Sequence, residues 1–133
     1  MTRRMLDTNT IGYLMRKNPR ISHRLADIPS AEICASAVTE GEVRFGLAKR
    51  PGNVPLKAAI DAFFATIDVL PWTRSTAAAY RELRADLERR GRPLAPLDMM
   101  IAAHAFEQGA VLVTTDRALL LAPGLTCEDW LAP

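Results

Sequence analysis

Two rhythms of apolar positions run along the chain. Short apolar stretches of strand character alternate with segments whose apolar residues recur every three or four positions. Arg3–Leu6 reads as a first strand ending at Asp7. Ile11, Leu14 and Met15 then mark a helix over Thr8–Lys17, which Asn18-Pro19 interrupts. A second helix is predicted from Pro19 to Ile28, with proline in its first turn, followed by a turn at Pro29-Ser30. Glu32–Ala35 is a second strand. Val38, Val43, Phe45 and Leu47 mark a helix that ends before Pro51-Gly52. Leu56–Ile67 carries Ile60, Phe63 and Phe64 at helical spacing, and Asp68–Trp72 is a third strand. Ser75–Arg90 is a long amphipathic helix with Ala79, Tyr80, Leu83 and Leu87 on one side and Arg and Glu on the other. After the loop Gly91–Pro96, an apolar helix runs from Asp98 to Gln108 and closes at Gly109. Ala110–Thr114 is the clearest strand, continuously apolar as in a sheet covered on both faces. A helical turn at Arg117–Leu121 and a strand near Leu125–Glu128 complete the pattern. Strands alternating with helices predict an α/β three-layer sandwich. Its central sheet is mainly parallel, with about five strands flanked by helices.

Composition narrows the class. At 133 residues, 49% hydrophobic and 24% charged, the chain reads as one globular domain spanning 1–133, with no repeat or low-complexity segment. Two cysteines make no disulfide framework and no metal spacing with the two histidines. No apolar run is long enough to cross a bilayer, and the basic N-terminus lacks a signal-peptide core, so a cytoplasmic setting is expected. The net charge is only +2, but 14 of the 17 basic residues are arginine, whose planar fork suits phosphate and carboxylate. A GC-rich genome would produce the same bias.

The candidate chemistry lies in a few acids. Most of the eight Asp and seven Glu sit on helix faces beside arginine, where they are solvated. Asp7 and Asp116 instead follow apolar strands, at the strand ends where an open parallel sheet binds ligands. Asp98 opens an apolar helix. Glu40 has Arg44 four residues on, whereas Glu42 shares its face with Val38 and has no such partner. Each acid also has a structural reading: helix caps for Asp7 and Asp116, a first-turn acid for Asp98, and a capping box from Thr39 to Glu42. Gathered at one sheet edge, however, the carboxylates need a cation, and an all-oxygen set suits Mg²⁺ or Mn²⁺. His104, among alanines, reads as a core or lining residue, and Cys34 as inert packing.

The ordered motifs Met5-Leu6-Asp7-Thr8-Asn9, Ser36-Ala37-Val38-Thr39 with Glu42, Pro96-Leu97-Asp98 with Ile101-Ala102-Ala103-His104-Ala105, and Val113-Thr114-Thr115-Asp116 resemble those of the PIN-domain ribonucleases. More closely, they resemble the toxins of VapBC toxin–antitoxin modules. The ending Leu125–Trp130 is similar as well. The resemblance implies a PIN-like fold and a Mg²⁺-dependent endoribonuclease, with Mn²⁺ able to substitute. Its acidic quartet falls on Asp7, Glu42, Asp98 and Asp116 as catalytic and metal-holding residues. Asn9 and Thr114 become supporting partners of those acids. Many relatives carry Asn near Asp116, where this chain has Thr115-Asp116-Arg117. Further implications are a VapB-type antitoxin, a homodimer, no membrane, and a structured RNA such as tRNA as substrate. Arg92 and Arg117, close to the acids in sequence, are candidates for the RNA backbone. Two other classes stand beside this one. A catalytically silent PIN-like module that binds RNA or a partner would be expected to lose acids from the quartet. A phosphatase-like α/β domain would want a second acid where Asn9 stands.

Overall fold

The computed structural model describes residues 2–133. It contains strands β1 (Arg4–Leu6), β2 (Ile33–Ser36), β3 (Asp68–Leu70), β4 (Val111–Val113) and β5 (Cys127–Glu128). The helices are α1 (Thr8–Met15), α2 (Pro19–Ala26), α3 (Ala37–Ala48), α4 (Val54–Thr66), α5 (Arg74–Arg89), α6 (Pro96–Gln108) and α7 (Arg117–Leu120). All five strands are parallel, in the order β3-β2-β1-β4-β5. This is the expected three-layer α/β sandwich.

The strand centres are apolar because helices cover both sheet faces, with Arg4, Ser36, Asp68 and Glu128 at strand ends, and successive side chains point to opposite faces. Met5, Cys34 and Leu112 join one core cluster with Leu83 and Leu87 of α5 and Met99, Ile101 and Ala102 of α6. Leu6, Ile33, Ala35 and Val113 join a second cluster with Ile11, Ile21, Ile60, Phe63 and Phe64 from α1, α2 and α4. Within α6, Ala102, Ala103 and Ala105 are fully buried, which lets this helix lie close against the sheet. Gly109 ends it at φ 62, a left-handed conformation that suits glycine.

Differences from the sequence reading are local. Helix α6 starts at Pro96, two residues before Asp98, because proline is pre-set for the first helical position. The turn at Pro29-Ser30 tightens into a 3₁₀ turn over Ser30–Glu32. Phe45 does not face the core. It is 64% exposed and lies under the Lys49 ammonium, 4.8 Å from its ring centroid.

The C-terminal tail is tied in. Trp130 is buried in the second cluster and donates from Nε1 to Glu128 Oε1 at 3.0 Å. The same carboxylate receives Arg4 Nε at 3.2 Å and Arg24 Nη2 at 3.4 Å, while the Arg24 guanidinium lies over the indole. Removing so large a buried ring leaves a cavity and takes one donor from the Glu128 carboxylate, which keeps Arg4 and Arg24. Trp130→Ala is therefore expected to lower unfolding free energy by about 3–5 kcal/mol, read as a lower urea midpoint at unchanged slope.

Candidate active site

The strand order makes a crevice. From β1 the chain builds outward through β2 and β3 on one side, then returns to place β4 on the other side of β1. Ligand sites in such sheets lie outside the carboxyl ends of the strands flanking this switch, here β1 and β4. Asp7 directly follows β1, and Asp116 follows β4 after two threonines.

Both acids cap helices. Asp7 accepts from the Thr10 amide at 2.8 Å as the cap of α1, and its own amide donates to the Val113 carbonyl at 3.0 Å. Asp116 caps α7, accepting from the amides of Ala118 at 2.8 Å and Leu119 at 3.3 Å. The cap reading and the site reading thus hold together for these residues. For Glu42 they do not. Ser36, not Thr39, caps α3, its hydroxyl accepting from the Val38 amide at 3.1 Å, so no capping box forms. Glu42 lies in the second turn and accepts from the Thr8 hydroxyl at 2.7 Å. Its neighbour Glu40 pairs with Arg44 at 2.9 Å. Asp98 occupies the first turn of α6, which Ala95 caps without a side-chain bond, and the Asp98 carboxyl makes no hydrogen bond among the described residues.

The electrostatics join the four. Asp7 is 3% exposed, and burial pushes its carboxyl above the ordinary value. The Thr114 hydroxyl and the Thr10 amide pull against that shift, and the charge of Asp116 adds to it. Asp98 is also raised, first by burial and then by the charges of Asp116, Asp7 and Glu42. All four carboxyls therefore share one field. Among the described residues, none of the four has a Lys, Arg or His in ion-pair contact, whereas Glu40, Asp61, Asp68, Asp86 and Glu128 all do. Among those residues no three acidic, His or Cys groups yet stand close enough to enclose a metal ion. The donor set nevertheless fits a hard divalent cation. It is all carboxylate and uncompensated, and Mg²⁺ takes only one or two carboxylates directly and keeps its other waters.

The supporting residues divide. Thr114 is buried, its hydroxyl accepts from the Asp116 amide at 3.1 Å, and it opposes the upward push on the Asp7 carboxyl. Asn9 does not reach the acids as a hydrogen-bond partner. It is exposed on α1 and lines a cavity of about 520 Å³ beside Glu42. The side chain that holds Glu42 is Thr8, which the sequence reading passed over although it adjoins Asp7. Arg92 and Arg117 are exposed and line one depression of about 220 Å³ beside α7. Arg16, Lys49 and Arg50 line the cavity beside Glu42, cations that no motif marked. His104 and Cys34 are buried, as expected.

The raised carboxyls give a sign for stability. Both are easier to ionise in the unfolded chain, so the contribution of these two groups to the stability of the metal-free fold is greatest at acid pH. That contribution is lost as pH rises through the unfolded values toward the raised folded ones. At neutral pH, Asp98→Asn removes one repelling charge and is expected to melt a few degrees above the wild type in metal-free buffer. Excess Mn²⁺ should raise the wild-type Tm and leave the variant unmoved. A wild-type melt indifferent to the ion would remove this cluster as a cation site.

The PIN-domain family profile matches residues 4–124. The tRNA(fMet)-specific endonuclease VapC of Shigella flexneri is 34% identical over 131 residues, covering 98% of this chain and 99% of the relative. Among solved structures, DNA-bound VapBC from Salmonella typhimurium superposes with a TM-score of 0.89 at 33% identity, covering 98% and 99% of the two chains. VapBC-1 from nontypeable Haemophilus influenzae gives 0.84 at 29% identity, covering 97% and 98%. With the fold, the order of the acids and the family profile in agreement, the chain belongs to the PIN-domain family, in its VapC ribonuclease branch.

Proposed function

We propose that this protein is a Mg²⁺-dependent endoribonuclease of the cytoplasm and the toxin of a type II toxin–antitoxin pair. Mn²⁺ would serve in place of Mg²⁺. One observation carries the reading: four carboxylates share a field at the switch point of the sheet, and none has a basic partner among the described residues. A silent module has no use for so unfavourable a set. The phosphatase-like alternative loses its second acid, since that place belongs to the exposed Asn9.

Asp7 and Asp98 would hold the ion directly, with Asp116 acting through a water. The chemistry such an ion supplies when bound is charge neutralisation at a phosphoryl oxygen and a more acidic water. Glu42, held by the Thr8 hydroxyl, would accept a proton from the attacking water or ligate in its turn. Thr114 holds the Asp116 amide and favours the ionised Asp7 carboxyl. Arg92 and Arg117 offer guanidinium forks to the RNA backbone from the depression they share. Water oxygen adds to phosphorus and the bond to the 3′ oxygen breaks, leaving a 5′-phosphate and a 3′-hydroxyl.

The relatives named as tRNA(fMet)-specific endonucleases make tRNA the first substrate class to try, at a loop whose bases are unstacked. The similar structures solved as VapBC pairs support a VapB-type antitoxin as partner, and a homodimer of the toxin is part of the same reading.

Purified wild-type protein is expected to cut total tRNA in Mg²⁺ and to stop on chelation. Asp98→Asn should keep the circular dichroism of the wild type and lose cleavage by about a thousandfold or more. Arg92→Ala with Arg117→Ala should weaken RNA binding, with a shallower salt dependence and little change in kcat. Undiminished, chelator-resistant cleavage by Asp98→Asn would end the metal-centred mechanism.

A further inference from the structure

Among the described residues, two buried side-chain polar atoms lack a hydrogen-bond partner: Thr39 Oγ1 and His104 Nε2. Both lie on helices that deliver acids. Thr39 precedes Glu42 by three residues in α3, and His104 follows Asp98 by six in α6.

His104 is fully buried, and its Nδ1 lies 2.7 Å from Ser36 Oγ. Ser36 ends β2 and caps α3, so its oxygen already accepts from the Val38 amide. A hydroxyl has one proton to give, and the acceptor within its reach is Nδ1. We assign the Ser36 O–H as donor to Nδ1, because the reverse direction would leave that hydroxyl proton without a partner as well, and this places the imidazole proton on Nε2. That N–H is the orphan. Burial pushes the imidazole pKa down, which keeps the ring neutral and Nδ1 free to accept. A buried unpaired N–H is destabilising, a cost that an aliphatic side chain of similar size would avoid. Packing alone therefore does not account for a histidine at this position.

What the histidine provides is a connection. Helix α6 packs on α3, and among the described residues the His104–Ser36 bond is the side-chain hydrogen bond between α6 and the start of α3. The Asp98 carboxyl has no hydrogen bond of its own among the described residues, so it sits wherever α6 sits. Glu42 follows α3, whose start is fixed by the same Ser36 hydroxyl. We propose that His104 is a positioning residue for the acidic centre: through Ser36 it sets the placement of Asp98 relative to Glu42. The proposal rests on the metal-dependent reading above.

Outer partners of metal-holding residues typically change metal affinity by about 10- to 100-fold when removed. The test compares wild type, His104→Leu and His104→Asn, the last keeping an acceptor oxygen near the place of Nδ1. Mn²⁺ affinity is measured by calorimetry, kcat and KM on tRNA, and Tm without metal. His104→Leu is expected to melt no lower than wild type, yet to bind Mn²⁺ about tenfold more weakly. Its kcat should fall while KM for RNA holds, and His104→Asn should recover most of the loss. Imidazole ¹⁵N spectra of the metal-free wild type should show Nδ1 unprotonated, and Ser36→Ala should shift that resonance. A folded His104→Leu that binds Mn²⁺ and cuts like wild type overturns the proposal alone. Should His104→Leu fail to fold, Ser36→Ala decides: wild-type Mn²⁺ affinity overturns, a loss supports. A wild type that binds no Mn²⁺ overturns the functional reading and this proposal with it.

Discussion

Bringing Asp7, Glu42, Asp98 and Asp116 to one sheet edge sets like charges against each other, and the other features of the site answer to that repulsion. At an effective dielectric of about 20, two unit charges about 4 Å apart repel by about 4 kcal/mol. A helix cap contributes about 1 kcal/mol. Caps and hydroxyls can orient these carboxylates, but they cannot hold them at ligation distance. The structure is consistent with that arithmetic. The four feel one another, as the raised Asp98 carboxyl shows, yet among the described residues they stop short of enclosing an ion.

The orienting groups are local and varied. Asp7 and Asp116 are placed by the helices they cap, Glu42 by the Thr8 hydroxyl, and Asp98 only by the body of α6. Three of the four are therefore fixed by their own hydrogen bonds and one by the packing of a whole helix. The alanines of α6 set its approach to the sheet, and the His104–Ser36 contact ties it toward α3. Structural and chemical roles coincide at Asp7 and Asp116 because the carboxyl end of a parallel strand is also where the next helix begins. An acid that caps such a helix is already in the crevice.

The fold was legible because it rests on repeated signals. Continuously apolar strands such as Val111–Val113 and helical stripes such as Leu83 and Leu87 are summed over many residues and survive local error. Asp7 and Asp116 stood out by their places after strands, and Glu42 and Asp98 by the order of the motifs that the family resemblance rests on. The supporting contacts of these acids were not legible. Thr8 and Asn9 are adjacent and equally polar, and only the pitch of α1 against α3 decides which one reaches Glu42. Phe45 marked the helix in sequence without fixing its side, and it proves to be exposed. Ser36 and His104 lie 68 positions apart in sequence, a separation at which no pattern along the chain pairs two residues.

The sheet's two borders carry a consequence for assembly. β3 at one border has three residues and β5 at the other has two, and Asp68 on β3 is ion-paired with Arg3 at 2.9 Å. Ladders this short give a foreign strand almost nothing to template on. Strand addition at either flank would gain few backbone hydrogen bonds, which leaves the side chains of the helical exterior as the larger surface for contact.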